Sequence, residues 1–202
     1  MYAPTDLSTA LESEPMSSTE FVYITYIRTT PQGLWQALTD PDFTVRYWGA
    51  ALESDWRVGS PVVWRQSGVT VADPEQVVLA ADPPRQLSYT WHTFTPELAA
   101  AFGFADEFQA TVRAERRSRV VFDLKPVGAT VQLTVVHTDF DPGSTVLESI
   151  SGGWPAILSN LKTLLETGQT LPIEDQPAQD RAPQQQPDEE QPAVAGEPPA
   201  AH

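Results

Sequence analysis

Apolar residues recur along 151–168 at helical spacing: Trp154, Ile157, Leu158, Leu161, Leu164 and Leu165 fall at i, i+3, i+4, i+7, i+10 and i+11. Ser159, Asn160, Lys162, Thr163 and Glu166 fill the other side. The pattern predicts one strongly one-sided helix, which needs an apolar surface to lie against. Pro155 has no N–H and is tolerated in a first turn, so the helix is expected to begin near Gly152 or Gly153. Gly168 supplies the left-handed stop.

Upstream the period changes. Residues 20–28 are aromatic and β-branched, which reads as a strand. Thr29 or Thr30 then caps a short helix with Pro31 near its first position and Leu34, Trp35 and Leu38 at helical spacing. Pro41 opens a second short helix carrying Phe43, Tyr47 and Trp48. Six strands are predicted next, over 49–55, 61–65, 76–81, 86–94, 118–125 and 130–138, with turns at Gly59, Asp73-Pro74, Asp82-Pro83-Pro84 and Val127-Gly128. Their spacing suits an antiparallel meander in one sheet. Alternation puts Leu87, Tyr89 and Trp91, then Val120, Phe122 and Leu124, then Val131, Leu133, Val135 and His137 on a common face. Between 94 and 118 helix formers with a break at Gly103 replace the alternation, an excursion that either covers a cavity mouth or decorates the surface.

Composition narrows what the folded part can be. Residues 168–202 hold seven prolines, many glutamines and seven acidic residues against Arg181, too little apolar surface to offset the entropy of ordering, so a disordered acidic tail is expected there. Residues 1–19 read as a loose leader without the basic and apolar regions of a secretory signal. One domain, 20–167, remains. The net charge of −15 disfavours nucleic acid and anionic lipid as partners. No run reaches the roughly 18 apolar residues of a membrane span, which predicts a cytoplasmic protein. Without cysteine there is no disulfide or thiolate chemistry.

The runs TTPQGLWQALTDPDFTVRYWG, ESDWRVGSPVVWR, DPPRQLSYTWH, LTVVHTDF and SGGWPAILSNLKTLLETG, in that order, resemble the heat-shock-protein-90 ATPase activator homologue-like family of the START/SRPBCC helix-grip superfamily. The resemblance spans nearly all of 20–168. It implies an α+β helix-grip fold, a curved antiparallel sheet wrapped around a long C-terminal helix with two short helices after the first strand. Families on this fold include lipid and hormone binders, polyketide cyclases and aromatases, and co-chaperone domains, so fold alone does not choose among them.

Six tryptophans offer apolar area with one N–H each, equally suited to a core or a cavity wall. Trp35 and Trp56 are assigned to structure. The candidate ligand-binding set is Trp48, Trp64, Tyr89, Trp91, Phe122, His137, Trp154, Ile157 and Leu158. His137 shares the inward parity, where a neutral imidazole serves as a ligand donor, a general base or a satisfied core residue; His92 has the opposite parity. No metal-ligand spacing, nucleophile elbow or phosphate loop is present, so no cofactor, metal or catalytic set is expected. Asp139 and Asp141 either orient His137, bind a cation or belong to a turn; Glu53 and Asp55 read equally as outward polar positions. Arg113, Arg116, Arg117 and Arg119 with Glu115 read as a solvated face rather than a phosphate track. Gly152-Gly153 either lets a ligand approach the backbone or only allows a bend.

The expected function is binding of a small apolar or amphipathic molecule between sheet and C-terminal helix, without an assigned reaction. The alternatives are a co-chaperone-like module that contacts a chaperone ATPase or another protein, and a cyclase- or aromatase-like enzyme using His137. The oligomeric state is left open.

Overall fold

In a computed structural model, residues 19–91 and 94–171 are described. Residues 1–18 of the leader, 172–202 of the acidic tail, and His92 with its neighbour Thr93 fall outside them. The first strand, β1 (Phe21–Ile27), leads into two short helices whose starts are set by side-chain caps. The Thr30 hydroxyl accepts the Gly33 N–H at 3.0 Å to open α1 (Pro31–Thr39), and the Asp40 carboxylate accepts the Asp42 N–H at 3.0 Å to open α2 (Pro41–Trp48). Both helices begin with proline, whose missing N–H costs nothing there. Gly49, at φ 80°, ends α2 and turns the chain back into strands.

The strands divide between two sheets rather than forming one. β2 (Ala50–Glu53), β3 (Val63–Gln66) and β4 (Val69–Val71) make a three-stranded sheet. β5 (Val78–Asp82), β6 (Gln86–Trp91), β7 (Ser118–Val127) and β8 (Thr130–Thr138) join β1 in an antiparallel sheet of order β1-β8-β7-β6-β5. β4 was not expected. Its signal is Ser67-Gly68, which sits between the paired residues Gln66 and Val69 with φ of 50° and 76°, the backbone of a two-residue hairpin turn. The chain between β2 and β3 stays irregular but is tied to β5, with Gly59 N–H donating to Val78 C=O and Val78 N–H to Ser60 C=O.

The excursion contains two helices, α3 (Pro96–Phe102) and α4 (Asp106–Ala114), separated by Gly103 at φ 67°. The last helix, α5, runs Thr145–Thr167 and so begins well before the glycines expected to cap it. Proline removes one hydrogen bond from a helix interior, but here the apolar stripe continues upstream through Ile150 and Val146, and burial of those residues favours the extra turns. The first turn is also capped. The Ser144 hydroxyl accepts the Leu147 N–H at 2.9 Å, and the Glu115 carboxylate accepts the Thr145 N–H at 2.7 Å and the Ser144 hydroxyl.

The inward alternation of β6, β7 and β8 is as the sequence indicates: Leu87, Tyr89, Trp91, Val120, Phe122, Leu124, Val131, Leu133, Val135 and His137 are all buried. α5 lies over them with Trp154, Leu158, Leu161 and Leu164. Asn160 departs from the expected polar face. It is buried, donates to Tyr47 C=O at 2.8 Å and accepts the Leu171 N–H at 2.7 Å, so it locks α2 and the chain beyond α5 to the same helix. At the sheet edge Lys162 and the Arg28 N–H hold the Glu166 carboxyl below its usual range.

The Glu115 cap gives a direct test. Glu115→Ala leaves α5 N-terminal donors without their charged acceptor and is expected to lower stability by about 1–2 kcal/mol in urea unfolding, against a change under about 0.5 kcal/mol for the exposed Glu97→Ala.

Candidate functional site

The candidate site is built on tryptophans. Trp48 closes α2, Trp64 lies in β3, Trp91 ends β6 and Trp154 lies within α5, and the four rings meet. Trp48 lies 5.0 Å from Trp64, 5.4 Å from Trp91 and 5.3 Å from Trp154; Trp91 lies 4.8 Å from Trp64 and 5.3 Å from Trp154. The contacts mix T-shaped, tilted and offset-stacked geometries, which suit the ring quadrupoles. Phe122 continues the cluster edge-on to Trp154 at 5.7 Å, and Tyr89 stacks on Phe122 at 5.8 Å. The middle of the space between the sheet and α5 is thus occupied by the protein's own aromatic rings.

His137 belongs to this filled region. Its side chain is 0 % exposed. The Trp154 indole N–H can only donate, so the 3.1 Å contact makes His137 Nδ1 the acceptor. The ring proton then sits on Nε2 and is donated to Ser118 Oγ at 2.8 Å, and the Ser118 hydroxyl in turn donates to Trp91 C=O at 3.3 Å. Burial pushes the His137 pKa down to about 3, which keeps the imidazole neutral. Both nitrogens are used inside the core, leaving none for a substrate proton.

An open pocket of about 390 Å³ lies at one end of the cluster. One wall is the end of α2, with Tyr47, Trp48 and Gly49, and Trp91 forms the floor. The turn of the β3–β4 hairpin contributes Gln66 and Ser67. The wall opposite comes from the excursion: Phe94, then Leu98, Ala99 and Phe102 of α3, then Phe104. α5 closes the ring with Gly153, Ala156 and Ile157. Phe104 is 36 % exposed and packs at 5.7 Å from Phe102 and 5.2 Å from Phe108. Gly103 makes this possible by turning the chain back through a left-handed residue.

Of the nine residues named from sequence, Trp48, Trp91 and Ile157 line the pocket. Trp64, Tyr89, Phe122, His137, Trp154 and Leu158 pack behind it. The wall residues from 94–104 were missed, although the density of phenylalanine in a stretch leaving the sheet was the available signal. The excursion is thus part of the pocket rather than decoration. Gly152 and Gly153 are both helical, a Cβ at either meets nothing within 4 Å, and the Gly153 backbone forms pocket wall.

Other charged candidates resolve into ties between elements. Arg116 pairs with Asp141 at 3.1 Å, Arg117 with Asp73 at 2.6 Å and Arg119 with Asp139 at 3.5 Å, while Glu53 pairs with Arg65 at 2.7 Å. Asp139 and Asp141 face arginines, not His137. Trp56 is structural, its indole N–H donating to Thr39 C=O at 2.7 Å.

Residues 28–166 match the family model described as Activator of Hsp90 ATPase homolog 1-like protein. The chain belongs to this family. Solved structures agree on the fold. Protein MLL2253 from Mesorhizobium loti is 25 % identical with a TM-score of 0.57, over 72 % of this chain and 96 % of that one. The Aha1 dimer from Colwellia psychrerythraea is 18 % identical with a TM-score of 0.56, over 75 % and 98 % of the two chains. CalU16 from Micromonospora echinospora is 19 % identical with a TM-score of 0.53, over 76 % and 77 %. No curated protein matches the chain. Among the described residues of this family member, no helix is long and apolar enough to cross a membrane.

The buried imidazole predicts a pH signature. The unfolded imidazole takes up a proton below about 6.5, while the folded one stays neutral down to about 3, so its contribution is complete above 6.5 and is lost as the pH falls. Unfolding titrations of the parent protein between these limits should contain a component near 1.4 kcal/mol per pH unit that His137→Gln lacks.

Proposed function

We propose that this chain binds a small, uncharged, apolar or amphipathic molecule in the pocket enclosed by α2, α3, α5 and the β3–β4 turn, with no reaction assigned. The observation that carries the reading is the lining, which includes five large aromatic rings beyond Tyr47 and, among the described residues, no charged side chain. Apolar walls with a few hydrogen-bonding groups suit ligand sites, and a volume of about 390 Å³ fits a compact molecule. Gln66 and Ser67 at the rim supply those groups. Burial raises the pKa of the Tyr47 phenol, so this wall also stays neutral. Among the described residues of the lining an anionic ligand would meet no cation, and the chain around it has a net charge of −15. The pocket has Trp91 of β6 and Gly153, Ala156 and Ile157 of α5 among its walls, as the sequence expectation has it, and adds α2, the β3–β4 turn and the excursion.

The cyclase-like alternative loses its base, because His137 reaches no pocket surface. The co-chaperone reading keeps one specific support, the family description over residues 28–166. On that reading, saturating protein should raise the ATPase rate of a cognate Hsp90-type chaperone; an unchanged rate removes it.

Binding is tested with Nile red, a neutral solvatochromic probe. The wild-type protein is expected to shift and raise its emission saturably, and Ala156→Trp, which fills the pocket from α5, to weaken binding at least about tenfold without lowering the melting temperature. Equal binding by both proteins, or none by wild type, overturns the reading.

A further inference from the structure

Among the described residues, β1 is one edge of the five-stranded sheet and pairs along its whole length with β8 alone, without a bulge. Its other side carries backbone groups left open by the described residues, and their parity can be read from two contacts. Tyr26 C=O accepts Lys162 Nζ at 2.5 Å, and the Arg28 N–H donates to Glu166 at 2.8 Å. Both partners come from α5, so the even-numbered residues turn their backbone away from β8, and Val22 and Ile24 share that parity. The side chains of the same residues form an apolar row on the outer face, with Val22 51 %, Ile24 53 % and Tyr26 49 % exposed. Isolated exposed apolar residues are ordinary, but a row of three along an open edge is not. Proline, bulges and inward-pointing charges, the usual means of blunting an edge, are missing from Phe21–Ile27.

We propose that β1 pairs antiparallel with β1 of a second copy of this chain, with Ile24 on the two-fold axis. In that register Ile24 lies opposite Ile24, Val22 opposite Tyr26 and Glu20 opposite Arg28, so apolar side chains meet at the centre and opposite charges at both ends. Neighbouring registers lose this match. Centring on Val22 puts Glu20 against Ile24, and centring on Tyr26 puts Ile24 against Arg28. The Ile24 pair and the two Val22–Tyr26 pairs exchange backbone hydrogen bonds; Tyr26 C=O keeps a second lone pair beside Lys162. Lys162 and Glu166 occupy the edge near Arg28 and restrict the ladder to its central residues. The contact is short, well below the roughly 800 Å² per partner of a stable interface, which makes the dimer weak and concentration-dependent.

Sedimentation equilibrium of the full chain from about 5 µM to about 0.5 mM tests this, with hydrogen exchange read at the Val22 and Ile24 amides. The average mass is expected to rise toward two chains as those two amides become protected. Ile24→Lys, at an exposed position, should weaken association at least about tenfold. Glu20→Arg should weaken it too, and adding Arg28→Glu should restore it. A monomer at every concentration overturns the proposal, as does a dimer indifferent to Ile24→Lys. Protection of Val22 and Ile24 that does not depend on concentration also overturns it, because the edge is then covered from within the same chain. None of these results depends on the pocket, since β1 contributes no residue to its lining.

Discussion

The burial of Trp154 organises this molecule. Its ring touches Trp48 from α2, Trp91 from β6 and Phe122 from β7, and its N–H ends on His137 of β8. One side chain therefore joins a connecting helix, three strands and the long helix. The hydrogen bond matters beyond its own energy, because an indole N–H or an imidazole buried without a partner would cost about 1–3 kcal/mol. The Trp154 N–H, His137 and Ser118 pass hydrogen bonds in sequence to the Trp91 backbone carbonyl, which fixes the imidazole tautomer and the depth at which α5 sits on the sheet.

Filling the middle of the grip with aromatic rings moves the available space to its end. There Trp48 and Trp91 present the outer side of the same cluster, and the excursion between β6 and β7 supplies the facing wall. The pocket is thus built on the aromatic cluster and closed by the short excursion helices. Core and lining overlap: Tyr47, Trp91, Leu98 and Ala99 line the pocket and are also buried.

Much of the fold was legible in the sequence because its signals are local and periodic. Alternation identified the inner faces of β6, β7 and β8 down to the inward parity of His137, and the caps Thr30 and Gly168 fell where their chemistry demands. The start of α5 was not legible, because the rule that confines proline to a first turn ignores the burial of Val146 and Ile150 and a carboxylate delivered from Glu115. β4 was hidden because Ser67-Gly68 joins strands only three or four residues long. The site was only partly legible for a deeper reason. A ring that lines a cavity and a ring that fills one share parity, composition and hydrophobicity, so nothing along the chain separates Trp91 from Trp64; the difference arises only when α3 is placed over one of them.

The Glu115 cap has a mechanical side. The α3–α4 segment leaves the sheet beyond Trp91 and returns through Glu115 and Arg116, which grip the start of α5 and the Phe140–Asp141 turn that precedes it. The pocket wall is therefore an arch with two abutments, one on β6 and the other on the first turn of α5. Any outward displacement of the wall would load that turn, at the helix end farthest along the chain from Gly168.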